Sequence, residues 1–213
     1  MKVKICAVRD LDSALICEEL NADFIGMNFV PGVHREIDIV SAINISNEIR
    51  NSKKVGVFAN QPINEVLNII KTCDLDYVQL SGSETLVYCS QIPLPIIKTI
   101  KIKSDSTQDE IHEHIFPLLE NLLMKEITPL IESEVPGFYG GTGVQVSNKI
   151  SKEIATSFDI ILAGGLNPLN VKKIVNYVQP WGVDVASGVE SNGYQDKEKI
   201  IQFISNAKSG DNE

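Results

Sequence analysis

The sequence predicts an α/β fold of the (β/α)8 TIM-barrel type, with eight parallel strands. Short apolar runs, each followed by an amphipathic or helix-forming segment, occur eight times along the 213 residues, as expected of strands joined by crossover helices. No G-x-G-x-x-G fingerprint follows the first run, and the last two runs end in the turns Gly164-Gly165 and Ser187-Gly188. A doubly wound open sheet is the alternative, and the regular units favour the closed barrel.

The first half of the chain contains four of these units. The predicted strands cover residues 3–8, 24–29, 54–58 and 77–80. The first helix opens after Asp10, the second covers residues 40–50, the third has Pro62 at its first position, and the fourth follows a turn at residues 81–84. A long polar loop, residues 30–37, follows the second strand and carries Arg35.

The second half repeats the pattern. Strands are predicted at residues 95–102, 128–131, 160–163 and 182–185, and helices within 104–123, at 147–156 and at 197–207. Another helix is expected to begin at Asn167-Pro168, an N-cap residue followed by proline at N1. A glycine-rich loop, residues 132–143, begins with Glu132. We therefore expect one barrel domain over residues 1–208 and a frayed tail over 209–213.

Charge and hydropathy restrict the partners. There are 19 Lys and Arg against 28 Asp and Glu, a net charge of -9, and no basic run, which argues against nucleic acid. No apolar stretch approaches the roughly 20 residues of a membrane span. The N-terminus leads directly into a strand rather than a signal peptide. The sequence thus predicts a cytoplasmic protein without a membrane partner.

Cysteine and histidine usage predicts neither a metal site nor a disulfide framework. The four cysteines have no C-x-x-C spacing and no histidine nearby, and they are Cys6, Cys17, Cys73 and Cys89. Each is by default a buried small residue. The three histidines are too few and too scattered for a metal site.

The two glycine turns near the C-terminus predict a phosphate site. In parallel barrels the loops after the seventh and eighth strands are the usual phosphate site. Gly164, Gly165, Ser187 and Gly188 allow backbone N–H groups and a helix N-terminus to point at one anion without a positive side chain. Either pair alone is also what an ordinary tight connection contains. The two together favour a phosphorylated small molecule as the partner.

The chemistry is expected at the C-terminal ends of the strands. The polar or reactive residues predicted there are Cys6, Arg35, Asn60, Ser81, Lys98, Glu132 and Asp184. Cys6 and Glu132 end strands on opposite sides of the barrel, where a thiolate and a carboxylic acid make a base and acid pair. The alternatives are a structural thiol for Cys6 and a solvated loop carboxylate for Glu132.

Three other predictions concern the surroundings of this pair. Arg35 either holds an anionic or planar substrate group or lies on the surface. Lys98 is expected to pair with a neighbouring barrel carboxylate, because a lysine inside a barrel needs a partner. Residues 139–143 are dense in glycine, which predicts a flexible loop over the site.

Six motifs, in this order along the whole chain, resemble the phosphoribosylanthranilate isomerase family. They are KIC at 4–6, VGVFAN at 55–60, VQL at 78–80, GGTG at 140–143, AGGLNP at 163–168 and VDVASGVE at 183–190. The resemblance implies a cofactor-free aldose-ketose isomerase of tryptophan biosynthesis, an intramolecular oxidoreductase. Such an enzyme converts N-(5'-phosphoribosyl)anthranilate to 1-(2-carboxyphenylamino)-1-deoxyribulose 5-phosphate by an Amadori rearrangement. A monomer or homodimer is expected.

The resemblance also assigns roles. Cys6 falls on the family's general base and Glu132 on its general acid, which is an aspartate in the family. Arg35 falls on the arginine at the anthranilate end, and Ser81 and Asp184 are expected to bind substrate. The phosphate turns are the two described above.

Three residues depart from the family's pattern. Ala7 replaces the glycine after the base, Ser81 replaces a histidine, and Glu132 replaces the aspartate. The extra methylene moves the carboxyl group by about 1 Å, a displacement that can cost roughly 100-fold in rate. One alternative is therefore a diverged barrel that binds a phosphorylated metabolite without isomerising it. Another is an epimerase or aldolase, which would need a metal cluster or Lys98 as a Schiff-base lysine.

Overall fold

A computed structural model describes residues 1–103, 105–133 and 146–209. Eight parallel strands close into a barrel in sequence order, which confirms the predicted fold and excludes the open sheet. The strands are Lys2–Ile5 (β1), Phe24–Asn28 (β2), Lys53–Phe58 (β3), Tyr77–Leu80 (β4), Ile96–Ile102 (β5), Thr128–Ser133 (β6), Ile161–Leu162 (β7) and Gly182–Val185 (β8).

Helices connect these strands on the outside. They are Leu11–Glu19 (α1), Ile39–Glu48 (α2), Ile63–Thr72 (α3), Leu86–Cys89 (α4), Gln108–Glu110 (α5), Phe116–Leu123 (α6), Asn148–Ser157 (α7), Val171–Val178 (α8) and Lys197–Lys208 (α9). A π-helical turn, Ile111–Ile115, joins α5 to α6. After β8 come a 3-10 turn, Ser187–Val189, and a small hairpin of Glu190–Ser191 (β9) and Tyr194–Gln195 (β10).

Several predicted boundaries were wrong for local reasons. β1 ends at Ile5 rather than at residue 8, because Ala7 has a φ of 59° and cannot continue a strand. The helix expected at Asn167-Pro168 begins at Val171, since Asn167 Oδ1 instead accepts from the N–H groups of Leu169 and Asn170 and caps a preceding turn. Pro62 is the N-cap of α3 rather than its first residue.

The sixth strand corrects the placement of Glu132. It runs to Ser133, and its register pairs Lys101 with Glu132. Glu132 is therefore a strand residue rather than the first residue of a loop. Because alternate strand residues share a face, Glu132 points the same way as Leu130, which packs inside the barrel.

Strand alternation divides the core in two. Outward residues such as Ile25 and Val78 pack beneath the helices. Inward apolar residues fill the N-terminal end of the barrel, and they are Phe24, Val55, Ile97, Leu130 and Ile161. Most of the next inward positions toward the C-terminal end are polar, and they include Lys4, Gln79, Glu132 and Asp184. The polar side chains of the site thus lie on the C-terminal side of this layer of inward apolar residues, which we call the apolar floor.

A carboxylate fixes one loop at the N-terminal end of the barrel. Glu18 on α1 accepts hydrogen bonds from the backbone N–H groups of Arg50, Asn51 and Ser52 at 3.0, 2.7 and 2.9 Å. These bonds satisfy the donors that lead into β3.

Within the described ranges, no helix combines the length and hydropathy that crossing a membrane requires.

Candidate active site

A buried ion pair underlies the predicted base. Lys4 on β1 lies beside Asp184 on β8, and Lys4 Nζ donates to Asp184 Oδ1 at 2.7 Å. Only 1% of Lys4 is exposed. Cys6 follows two residues later on the same face, so that the charge of the Lys4 ammonium acts on its sulfur. The sequence analysis missed Lys4, although it belongs to the KIC motif.

The protonation of this group follows from burial and charge. Burial raises the pKa of the Cys6 thiol above its ordinary value, and the nearby Lys4 ammonium opposes that rise without cancelling it. Burial alone would lower the pKa of Lys4, but Asp184 and Cys6 raise it above its ordinary value. Lys4 is therefore a fixed cation beside the sulfur, and it favours the thiolate over what burial alone would allow.

The backbone turns sharply after the thiol. Ala7 adopts left-handed backbone angles, with φ at 59°, which a side chain disfavours and glycine does not. The Gln195 side chain of β10 donates to the Ala7 carbonyl. The glycine of the family's motif thus corresponds to a real conformational need, and this chain meets it with alanine held by a tertiary hydrogen bond.

Cys6 and Glu132 line one cavity at the C-terminal end of the barrel, together with Arg35, Ser81 and Asp184. Glu132 is 6% exposed, so it is not the solvated loop carboxylate considered from the sequence. The structure thus brings all five of the non-phosphate residues predicted for the site to one place. Asn28 and Gln79 also line this cavity and were missed.

The Arg35 side chain is bound by Glu190, a residue near the C-terminal end of the chain. Its Nε and Nη2 donate to the two carboxylate oxygens of Glu190 at 2.7 and 2.8 Å. The Glu190 bonds are the main cause of a raised pKa for Arg35. Burial favours a higher pKa for Glu190, but Arg35 outweighs burial and lowers it. This bidentate pair excludes the reading of Arg35 as an unattached surface arginine.

The β9–β10 hairpin ties together the loops after β1 and β2. Besides the Glu190 and Gln195 contacts, Arg9 donates to the carbonyls of His34 and Gly193. The Arg9 guanidinium also lies 5.1 Å from the centre of the Tyr194 ring. Residues around both Cys6 and Arg35 are therefore positioned by one short element that the sequence analysis did not predict.

The glycine turns lie against each other at the ends of β7 and β8. Gly164 and Gly165 have φ of 87° and 62°, a region that favours glycine. A Cβ added at Gly188 would lie 1.8 Å from the Leu166 carbonyl oxygen, so no other residue fits there. A second cavity is lined by Gly164, Gly165 and Ser187, and it shares Glu132, Asp184 and Ala186 with the first.

Lys98 and Asn60 do not line either cavity. Lys98 Nζ bonds Glu84 at 2.8 Å and the Gly82 carbonyl at 2.7 Å. Its predicted partner was wrong, because Glu84 belongs to the loop after β4 and not to a barrel strand. Asn60 Oδ1 accepts from the Ser83 N–H at 2.8 Å and joins two loops.

Two further points concern metal ligands and the glycine-rich loop. They hold no group of three or more His, Cys, Asp or Glu side chains arranged to take a metal ion. The glycine-rich loop at residues 139–143 lies outside the described residues.

Comparison with known proteins gives a consistent result. The family model described as N-(5'phosphoribosyl)anthranilate (PRA) isomerase matches residues 3–206. An N-(5'-phosphoribosyl)anthranilate isomerase of Dehalococcoides mccartyi is 36% identical, covering 99% of this chain and 97% of its own. Its counterpart in Roseiflexus castenholzii is 38% identical, with 98% and 99% covered.

Solved structures agree in fold over nearly the whole chain. The phosphoribosyl anthranilate isomerase of Thermotoga maritima superposes with a TM-score of 0.83 at 31% identity, covering 98% of this chain and 99% of that one. A phosphoribosyl anthranilate isomerase in complex with reduced 1-(o-carboxyphenylamino)-1-deoxyribulose 5-phosphate gives a TM-score of 0.80 at 30% identity, with the same coverage.

Proposed function

The chain belongs to the N-(5'-phosphoribosyl)anthranilate isomerase family of tryptophan biosynthesis, and on that premise we propose that Cys6 is its general base and Glu132 its general acid. The observation that supports this assignment is the single cavity lined by both side chains, Cys6 directly after β1 and Glu132 within β6. A base and an acid in one cavity can act on two atoms of the same sugar.

The assignment accounts for each proton transfer of the rearrangement. Glu132 in its acid form gives a proton to the ribose ring oxygen, the C1'–O bond breaks, and a protonated Schiff base forms between C1' and the anilinic nitrogen. Cys6 as thiolate then removes the C2' proton, and the electrons move toward the nitrogen to give an enolamine. Tautomerisation of the enolamine yields the ketose. Lys4 stays protonated throughout and lowers the cost of the thiolate.

Substrate binding divides between the two ends of the site. The phosphate is assigned to Gly164, Gly165, Ser187 and Gly188, because the first three line the second cavity and Gly188 follows Ser187 in the same turn. Arg35 is assigned to the anthranilate carboxylate. Glu190 takes its Nε and Nη2, so the Nη1 side is the one we assign to the ligand. Asp184 and Ser81 complete the wall near the sugar.

The decisive experiment is the decay of phosphoribosylanthranilate fluorescence with wild type, Cys6→Ser and Glu132→Ala. We expect rapid enzyme-dependent decay in wild type and a loss of at least about 100-fold in each variant, the usual contribution of a general acid or base. Cys73→Ser and Glu120→Ala are matched controls, because Cys73 is a buried thiol outside the cavity and Glu120 an exposed carboxylate of α6. Both controls should retain activity.

Two results would contradict the assignment. Full activity in Cys6→Ser or Glu132→Ala would remove that residue from the chemistry. Absence of decay with wild type, together with tight binding of the reduced product analogue, would instead favour the diverged phosphate-binding barrel.

The organisation of the protein is part of the same proposal. We assign one barrel domain to residues 1–208, a cytoplasmic location, and a monomer or homodimer; residues 210–213 of the expected tail lie outside the described residues. The dimeric phosphoribosylanthranilate isomerase of Thermotoga maritima, of which generated monomers have been solved, supports the oligomer assignment. Sedimentation velocity over a range of concentrations distinguishes monomer from dimer.

A further inference from the structure

Gln79 carries a buried polar atom without a partner. It lies on β4, is 5% exposed, and lines the cavity that holds Cys6 and Glu132. Its Nε2 donates to Ser81 Oγ at 3.1 Å, and Ser81 Oγ in turn lies 3.1 Å from Thr99 Oγ1. Gln79 Oε1 is fully buried and accepts no hydrogen bond from any described residue. Buried carbonyl oxygens are nearly always satisfied, so this one requires an explanation.

The chemistry of the oxygen restricts what can satisfy it. An amide oxygen only accepts, so its partner must present an N–H or O–H group. Neither the phosphate nor the carboxylate of the substrate has a hydrogen to donate when ionised. Gln79 Oε1 therefore cannot bind either anionic end, and its donor must belong to the part of the ligand that lies between them.

The position of β4 in the barrel further restricts which group of the ligand can donate to Gln79 Oε1. In the closed ring, β4 lies four strands from β8 and thus across the barrel from the glycine turn after β8. In phosphoribosylanthranilate the phosphate is on C5' and the anilinic nitrogen on C1', at the other end of the sugar. A substrate with its phosphate at the glycine turns therefore directs its C1' end toward β4.

Resting on the proposed function, we propose that Gln79 Oε1 accepts a hydrogen bond from the anilinic N–H of the substrate. When the ring opens, this nitrogen becomes the N–H of a protonated Schiff base and carries positive charge. A hydrogen bond from a charged donor is stronger than one from a neutral donor. The contact thus stabilises the ring-opened intermediate more than the bound substrate, and it acts on the rate of chemistry more than on affinity.

The test compares Gln79→Met with Thr99→Val. Methionine matches the length of glutamine and has no amide oxygen, while Thr99→Val cuts the same hydrogen-bond chain at its other end without touching the cavity. We expect Gln79→Met to slow the reaction about tenfold in single-turnover kinetics, with a steady-state KM within about threefold of wild type. Thr99→Val should keep the wild-type rate. If Gln79→Met does not fold, Gln79→Leu takes its place.

The outcomes separate this inference from the proposed function. An unchanged rate in Gln79→Met, or an equal loss in Thr99→Val, overturns the Gln79 contact while the isomerase function stands. If wild type itself does not turn over, the function fails, and binding of the reduced product analogue, which keeps the N–H, decides about Gln79. Affinity weaker by about two- to threefold in Gln79→Met, the modest effect expected of a bond from a neutral donor, supports the contact, and equal affinity overturns it.

Discussion

The two ends of the barrel are built from the same alternating strands but differ in the side chains that they bury. At the N-terminal end the inward side chains are apolar and pack on one another, and the Glu18 carboxylate satisfies the N–H groups of the loop before β3. At the C-terminal end most of the inward side chains are polar. There the ion pair of Lys4 and Asp184 is buried, Ala7 has a left-handed backbone, and Gln79 Oε1 lacks a partner among the described residues.

The difference shows how stability and chemistry are distributed. Buried polar groups and left-handed non-glycine residues lower stability unless the surrounding structure compensates for them. Here they lie beside the thiol and the carboxyl group proposed for catalysis, above a floor that contributes mainly stability. Variants in the apolar floor at the N-terminal end should therefore change stability alone. Variants at the C-terminal end should change stability and activity together.

The largest effect is expected for Lys4→Met at the catalytic end. Removing the ammonium leaves Asp184 buried without its cation, which should lower the free energy of unfolding by about 3–5 kcal/mol. Turnover should also fall, because the thiolate of Cys6 loses its neighbouring charge. Lys54→Met is the matched control, since the Asp74 partner of that lysine is 91% exposed and the pair should contribute only about 0–1 kcal/mol. Urea unfolding and fluorescence decay measure both quantities, and equal losses of stability in the two variants would contradict the comparison.

Ile97→Ala tests the other end. Ile97 is fully buried in the apolar floor, and its truncation should lower the free energy of unfolding by about 2–5 kcal/mol while kcat of the folded protein stays within about twofold. Ile201→Ala on α9, where 44% of the side chain is exposed, should cost about 0.5 kcal/mol or less. A large fall in kcat for Ile97→Ala would mean that the two ends are not separable.

Glu18→Gln should produce a smaller effect that depends on pH. Burial opposes ionisation of Glu18, but its bonds to the N–H groups of Ser52, Asn51 and Arg50 outweigh burial and lower its pKa to about 2. Because the folded-state pKa lies below the unfolded one, ionised Glu18 stabilises the fold above about pH 4.5, and this contribution disappears as the pH falls toward 2. At pH 7 the variant should lose about 1–2 kcal/mol.

The control for this pH dependence is Glu19→Gln, an exposed neighbour on the same helix. Chemical unfolding at several pH values should show the deficit of Glu18→Gln shrinking between pH 4.5 and 2, with Glu19→Gln matching wild type. A deficit that stays constant over this range would contradict the role assigned to the Glu18 charge.

Ala7→Gly is the smallest expected change and the one of opposite sign. Glycine adopts the left-handed conformation at residue 7 without the side-chain penalty, and its greater flexibility in the unfolded state offsets part of the gain. The variant should be more stable by about 0.5–1 kcal/mol. Ala155→Gly within α7 is the control, since there glycine should cost about 0.5–1 kcal/mol. Thermal unfolding measures both, and a lower melting temperature for Ala7→Gly would refute the strain argument.

Local signals in the sequence were sufficient to predict the eight strand-helix units, because hydrophobic periodicity and turn residues depend on near neighbours. They also indicated the glycine turns, since a left-handed backbone and the close approach of Gly188 to Leu166 both require that residue type. Their positions after predicted strands made Cys6, Glu132 and Arg35 candidates, and the resemblance to a known family assigned their roles. Sequence was enough to name these residues because each belongs to a short motif or follows a predicted strand.

The partners of these residues follow only from the closed barrel. Lys4 and Asp184 are 180 residues apart and Arg35 and Glu190 are 155 apart, and they meet because closure joins the first strand to the last. No local pattern encodes such a pairing, and the same holds for the bond from Gln195 to Ala7 and for the buried oxygen of Gln79. Burial then set the pKa of Cys6, since desolvation depends on everything packed around the thiol and not on its neighbours in sequence.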